Sequence, residues 1–228
     1  MANFKTQIEN LAGTTTVTGN ANIDSYNDML SNFLKQSARA VLDVLPDSVL
    51  IQDSIQATIT SSAGLTVTDK KIVKVLRGNY GAIEIPLELK AQVQASSGSL
   101  MEPSIRSPIY YIEGQVSTGG SLFIKPDPAN TDATTRGYVH YNNYPAPLWS
   151  DTSITNFPDL AEYAVVIGSA MRLLQHKVNK MIHEEEDIEL ASVAQQEMAM
   201  ISGLYKDEIA RLNGQLGAMA QPTPQGEQ

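Results

Sequence analysis

Hydrophobic positions recur along this chain with two different periods. Between residues 24 and 45, Tyr26, Met29, Leu30, Phe33, Leu34, Ser37, Val41, Leu42 and Leu45 follow three- and four-residue intervals. That spacing predicts an amphipathic helix. Asp24 or Ser25 can cap its start, Asp28 falls in its first turn, and Pro46 stops it. A second helical region is expected over 158–216, with Pro158 in its first turn. There Leu160, Tyr163, Ala164, Ile167, Ala170, Met171, Leu174, Val178 and Met181 form one apolar stripe. His183-Glu184-Glu185-Glu186-Asp187 follows, as a break or as a solvated stretch of one long helix. Beyond it, Leu190, Ala194, Met198, Ile201, Tyr205, Ile209, Leu212 and Leu216 make a narrower, near-heptad stripe, as at a helix–helix seam. Gly214 and Gly217 are expected to end it.

Residues 49–147 follow the other period. Candidate strands are Val49–Thr60, Leu65–Thr68, Lys71–Arg77, Ala82–Val93, Ile109–Val116, Ser121–Lys125 and Tyr138–Tyr144, rich in Val, Ile, Thr and Tyr. Ser62-Ala63-Gly64, Gly78-Asn79-Tyr80-Gly81, Ser96-Ser97-Gly98-Ser99 and Thr118-Gly119-Gly120 supply the turns. Pro86 and Pro108 suit edges or strand starts. Short strands so spaced predict a sandwich or small barrel. The expected fold is therefore α+β: a helical bundle of N- and C-terminal helices carrying a large central antiparallel β insertion.

Four parts are expected. Residues 1–22 form an arm, in which Phe4, Ile8 and Leu11 share one face of a short helix ahead of an extended Gly/Thr linker. The arm cannot hold a core alone, so it docks on its own domain or on a neighbour as an inter-subunit arm. Residues 24–46 and 157–216 make the helical domain, and residues 47–156 the β insertion. Residues 217–228 form a tail whose composition predicts disorder in isolation.

Among 228 residues, 42% are hydrophobic but only 18% are charged, with Ser, Thr, Asn and Gln making up most of the remainder. About 25% charge is usual, and the low value suits sheet surfaces and assembly interfaces. Residues 1–156 carry 11 basic and 14 acidic side chains and residues 157–228 carry 5 and 11, which together make the net −9 of the chain. Such a chain does not wrap nucleic acid by neutralising phosphates. It can line a channel through which DNA slides. The absence of cysteine removes disulfides, thiolate metal sites and cysteine nucleophiles. No apolar run approaches the length of a membrane-spanning helix, so no membrane partner is expected. The start lacks the apolar core of a secretory signal.

Candidate chemistry is sparse. His140 reads as a polar position on a sheet face. His176 and His183, seven residues apart, share a helix face and could pair with Glu184 or Asp187, but no third ligand is fixed by spacing. The acidic run Glu184–Asp187 lacks the ligand spacing of a calcium loop and reads as solvated. No nucleophile elbow, phosphate loop or dinucleotide fingerprint occurs, and neither catalysis, a cofactor nor a metal is expected. Lys70, Lys71, Lys74 and Arg77 form one basic cluster. Strict alternation puts Lys71 and Arg77 on one face and Lys70 and Lys74 on the other, for strand solubility or for contact with DNA or an acidic neighbour. Tyr110, Tyr111, Tyr141 and Trp149 offer ring faces that could pack the sheet, line an interface or stack on sugars.

One ordered set of segments resembles a known family. It runs Arg77-Gly78-Asn79-Tyr80, Ile85-Pro86, Ser107-Pro108-Ile109-Tyr110-Tyr111, Ile124-Lys125-Pro126-Asp127-Pro128, Val139-His140-Tyr141-Asn142-Asn143-Tyr144-Pro145 and Phe157-Pro158-Asp159-Leu160, then an apolar helix. In order and style, over about residues 24–182, it is similar to head-to-tail adaptor (connector, or neck ring) proteins of podovirus-like tailed bacteriophages. The resemblance implies a homo-oligomeric, commonly twelve-fold ring beneath the portal protein. The helices would form the ring wall, and double-stranded DNA would pass through the lumen without specific binding. A tail or nozzle protein would lie below. The C-terminal segment would reach the portal through Ala218, Met219, Gln221, Pro222, Pro224 and Gln228. The protein would be made in the host cytoplasm and reside in the neck of the virion. Another tail component, such as a terminator or tube protein, or a carbohydrate-binding virion module, is the alternative. The β portion, nearly half of the chain, is larger than this family's pattern.

Overall fold

The computed structural model describes residues 2–13, 23–91, 102–114, 119–183 and 188–219. The chain is α+β and divides into a helical unit, residues 1–49 with 145–228, and a β unit, residues 50–144. The insertion thus begins and ends inside the range expected for it, and residues 145–156 belong with the helices.

In the helical unit, α1 (Phe4–Leu11), α2 (Ile23–Val44), α4 (Asp159–His183) and α5 (Ile188–Met219) pack together. The short α3 (Asp47–Leu50) follows Pro46. Helix α2 runs antiparallel to α4, since Phe33 meets His176 while Ser37 and Gln36 receive Arg172. Leu30, Leu34, Ala38, Val41 and Leu42 of α2 are buried, as their periodicity requires.

Helix α4 departs from a one-sided stripe. Val165, Val166 and Leu173 are buried together with Ala161, Ala164, Ile167, Ala170 and Leu174, whereas Leu160 and Tyr163 lie outside. The physical reason is that α1, α2 and α5 all pack on α4, so its middle is enclosed on several sides. At Gly168 an added Cβ would sit 3.2 Å from Ser37 Oγ and 3.3 Å from the Tyr205 ring. Small residues here let α2 and α5 approach closely. Helix α5 continues past Gly214 and Gly217 to Met219. A glycine costs a helix about 1 kcal/mol and does not by itself end it.

The β unit holds two four-stranded sheets. In the first, β1 (Ile55–Ile59), β8 (Gly137–Asn143), β3 (Lys70–Arg77) and β4 (Tyr80–Gly81) lie in that order. In the second the order is β2 (Leu65–Thr66), β7 (Ser121–Lys125), β6 (Ile109–Glu113) and β5 (Ile83–Glu84). Pairing is antiparallel except between β5 and β6. Ile59, Val67, Val75 and Val139 pack against Leu122 and Ile124 of the second sheet, so the unit is a sandwich rather than a closed barrel.

Two expected strands are cut short. Residues 47–50 are helical, and pairing begins only at Ile55. Pro46 ahead of Asp47, an acidic residue in the first turn, favours a helical turn over a strand. Of the described residues 82–91 of this strand only Ile83–Glu84 pair, because Pro86 lacks a donor and opens a 3-10 turn, Leu87–Leu89, and residues 92–93 lie outside the described residues. The turn expected at 96–99 and the end of the strand expected at 116 lie outside the described residues.

Candidate functional site

An exposed apolar stripe of the helical unit lies on α5. Ala191, Ala194, Ile201 and Leu212 are buried, and α5 packs mainly on α4. Leu190, Val193, Met200 and Leu204 are 52%, 52%, 65% and 45% exposed. Their offsets of 3, 10 and 14 residues follow the heptad spacing of a helix–helix seam, about 100° around the helix from the buried face. Over 14 residues this stripe is about 21 Å long. Large exposed aliphatics in register on one helix form an apolar patch of the kind that association surfaces use. The expected seam included Leu190, which is exposed, and omitted Val193, Met200 and Leu204. The available signal was a second heptad set shifted by one position from the first.

The N-terminal arm closes on its own unit. Asn3 caps α1 by accepting from the Thr6 amide at 3.0 Å. Phe4 and Ile8 are fully buried, and Leu11 is half-buried. The Phe4 and Lys5 amides donate to the carbonyls of Asp151 (2.9 Å) and Trp149 (3.0 Å). Lys5 Nζ donates to Asn27 Oδ1 at 3.1 Å and lies 5.5 Å and 5.4 Å from the ring centres of Tyr26 and Trp149. Two aromatic faces and an amide oxygen form a cage for this ammonium. A Phe4 or Ile8 extended away from the unit would leave its present cover empty.

The basic cluster of β3 does not present a common surface. A bulge at Val73 shifts the register, so that Ile72 faces Tyr141 while Lys74 faces His140. One extra residue reverses the alternation. Lys71 and Lys74 consequently share a face and Arg77 lies on the other with Lys70, whereas strict alternation had grouped Lys71 with Arg77 and Lys70 with Lys74. Arg77 is buried and donates to the carbonyls of Pro126 (2.7 Å), Asp127 (2.9 Å) and Thr134 (3.4 Å). It clamps the 126–136 loop and offers nothing to DNA. Lys70 donates to the Thr66 carbonyl and sits 4.3 Å from the Tyr141 ring centre.

His140 lies half-buried on β8 beside Ser54, whose hydroxyl donates to the Ile51 carbonyl at 2.8 Å. Ser54 Oγ therefore accepts from His140 Nδ1, 3.3 Å away. The serine proton is committed to a carbonyl, so the pair is not arranged as nucleophile and base. Asn142, buried two residues on, donates to the Asp53 carbonyl at 3.3 Å. Among the described residues no group of three metal-ligating side chains comes together. His176 is exposed and packs its ring against Phe33. His183 ends α4, and Glu184–Asp187 lie outside the described residues.

The ring faces considered for sugars are largely occupied. Tyr111 is buried and stacks on Phe123 with centres 5.5 Å apart. Lys90 covers it, held by an ion pair to Glu113. Tyr110 packs on the β core and donates its hydroxyl to Glu84 at 3.0 Å. Tyr141 carries Lys70, and Trp149 carries Lys5. Of the C-terminal residues, Ala218 and Met219 extend α5, while Gln221, Pro222, Pro224 and Gln228 lie outside the described residues. Among the described residues no helix is long and apolar enough to cross a membrane. No known family model matches the chain, and none of the curated proteins compared with it matches.

Proposed function

We propose that this chain is a structural subunit of a head-to-tail adaptor ring, docking beneath a phage portal and joining it to the tail. The observation that carries the reading is the stripe Leu190, Val193, Met200 and Leu204, left uncovered on a 32-residue helix. A helix apolar on two faces needs two partners, and among the described residues the chain supplies one. A neighbouring copy is the partner that a ring provides, through heterologous contacts that close by rotation. The order of helix, β insertion and two long helices supports the same reading, as does the family resemblance of residues 24–182. Net negative charge suits a lumen through which DNA moves without sticking.

The test is the double substitution Val193→Asp with Met200→Lys. Both positions are exposed in the single chain, so circular dichroism and the melting temperature should stay close to wild type. The wild-type protein should form a discrete oligomer, alone or on a portal, and the variant should not. Equal assembly by the variant would remove the stripe from the interface. A wild type that stays monomeric with the portal present would refute the adaptor reading.

A further inference from the structure

Met200 is 65% exposed, the highest value among the described large hydrophobic side chains. It stands in the α5 stripe about one turn before Leu204 and two turns after Val193. Leu190, Val193 and Leu204 are hydrocarbon only, so Met200 is the oxidisable member of the stripe. The other methionines with described side chains, Met29, Met171, Met181 and Met198, are half-buried. The chain has no cysteine, so the Met200 thioether is the most accessible sulfur among the described side chains.

Oxidation changes what this face can bind. Hydrogen peroxide transfers one oxygen atom to Sδ as its O–O bond breaks. The sulfur gives up two electrons, and the peroxide leaves as water. The product is a polar sulfoxide on a side chain of nearly unchanged length. The side chains of Leu190, Val193 and Leu204 offer its oxygen no donor. Burying such a group unpaired weakens an apolar contact by about tenfold or more.

We propose that Met200 is a site of reversible oxidation that governs docking along the α5 stripe. This rests on the ring reading, in which a neighbouring copy covers the stripe. The thioether form docks, and the sulfoxide form does not. Docking in turn shields Sδ, so an assembled subunit oxidises more slowly than a free one. Reversal takes a dithiol and a methionine sulfoxide reductase. The sulfoxide oxygen leaves as water, and the dithiol becomes a disulfide.

Wild-type protein and a Met200→Leu variant are treated with dilute hydrogen peroxide, freed of it and mixed with the portal. Peptide mass spectrometry reads the gain of one oxygen atom at Met200, and the mass in solution reads assembly. Met200→Leu keeps the apolar volume, so it should assemble both before and after peroxide. Oxidised wild type should not assemble, and should recover after treatment with the epimer-specific reductases. Met200→Gln, polar at similar length, should fold as wild type by circular dichroism and fail to assemble without any peroxide. Three results would each overturn the inference and leave the adaptor reading standing: a Met200 that peroxide leaves unmodified, normal assembly of wild type carrying the sulfoxide, or normal assembly of Met200→Gln. Equal loss of assembly in peroxide-treated Met200→Leu would overturn it too, by placing the damage elsewhere. Wild-type protein that forms no ring with the portal before any oxidation would overturn both.

Discussion

Lys74 of β3 stands directly across the sheet from His140 of β8. The pairing exists because the bulge at Val73 brings the lysine onto the histidine's face. Burial, and then the like charge of Lys74, hold the imidazole below its usual pKa. With the folded value lowered, the unfolded chain takes up this proton first as pH falls. The contribution to stability is therefore full above about pH 6.5 and declines as pH falls below that, levelling once the folded state is protonated as well. Lys74→Met should raise the His140 pKa, measured by NMR titration, and flatten the acid limb of the melting temperature. An unchanged titration would mean that the charge is screened.

Arg77 should be the costliest basic residue to lose in the β unit. Arg77→Met leaves three loop carbonyls without their donor, and should destabilise by about 2–4 kcal/mol. Substitution of exposed Lys74 should stay within about 0.5 kcal/mol at neutral pH. Denaturant unfolding compares the two, and equal effects would contradict the clamp.

Gly78 makes the β3–β4 turn at φ +58°, where a Cβ would come within 2.5 Å of the Thr134 carbonyl oxygen. Gly78→Ala should cost about 1–3 kcal/mol through backbone strain and this clash. Arg77 binds the same carbonyl, so the double variant should be less than additive. Strict additivity in chemical unfolding would show the two to be independent.

In the helical unit, Phe4→Ala should cost about 3–5 kcal/mol, as for a core aromatic. Leu11→Ala, at a half-buried position, should cost clearly less. A negligible effect of Phe4→Ala on the melting temperature would show that α1 is not part of the folded core.

Much of this fold was legible in the sequence because burial follows local period. The α2 stripe from Leu30 to Leu42, Pro46 as its stop and the Gly78 turn could each be read from a few residues. What could not be read depends on partners distant in the chain. The enclosure of Val165, Val166 and Leu173 follows from three helices packing on α4. The bulge at Val73 has no local signature, yet it re-sorted Lys70, Lys71, Lys74 and Arg77 between the two faces. Arg77 looked like a surface cation because its acceptors, Pro126, Asp127 and Thr134, lie about fifty residues away. The exposed stripe of α5 was hidden beside the buried one, since two heptad sets one residue apart look like a single apolar helix. The same helix then ran through Gly214 and Gly217, where composition alone suggested an end.

The measurement closest to the central claim is the mass of the portal that the adaptor proposal assigns to this protein, before and after incubation with it. The adaptor account predicts a discrete gain equal to a whole number of subunits, matching the symmetry of the ring, and no such gain with the Val193→Asp, Met200→Lys variant. A portal whose mass is unchanged by saturating wild-type protein would contradict it.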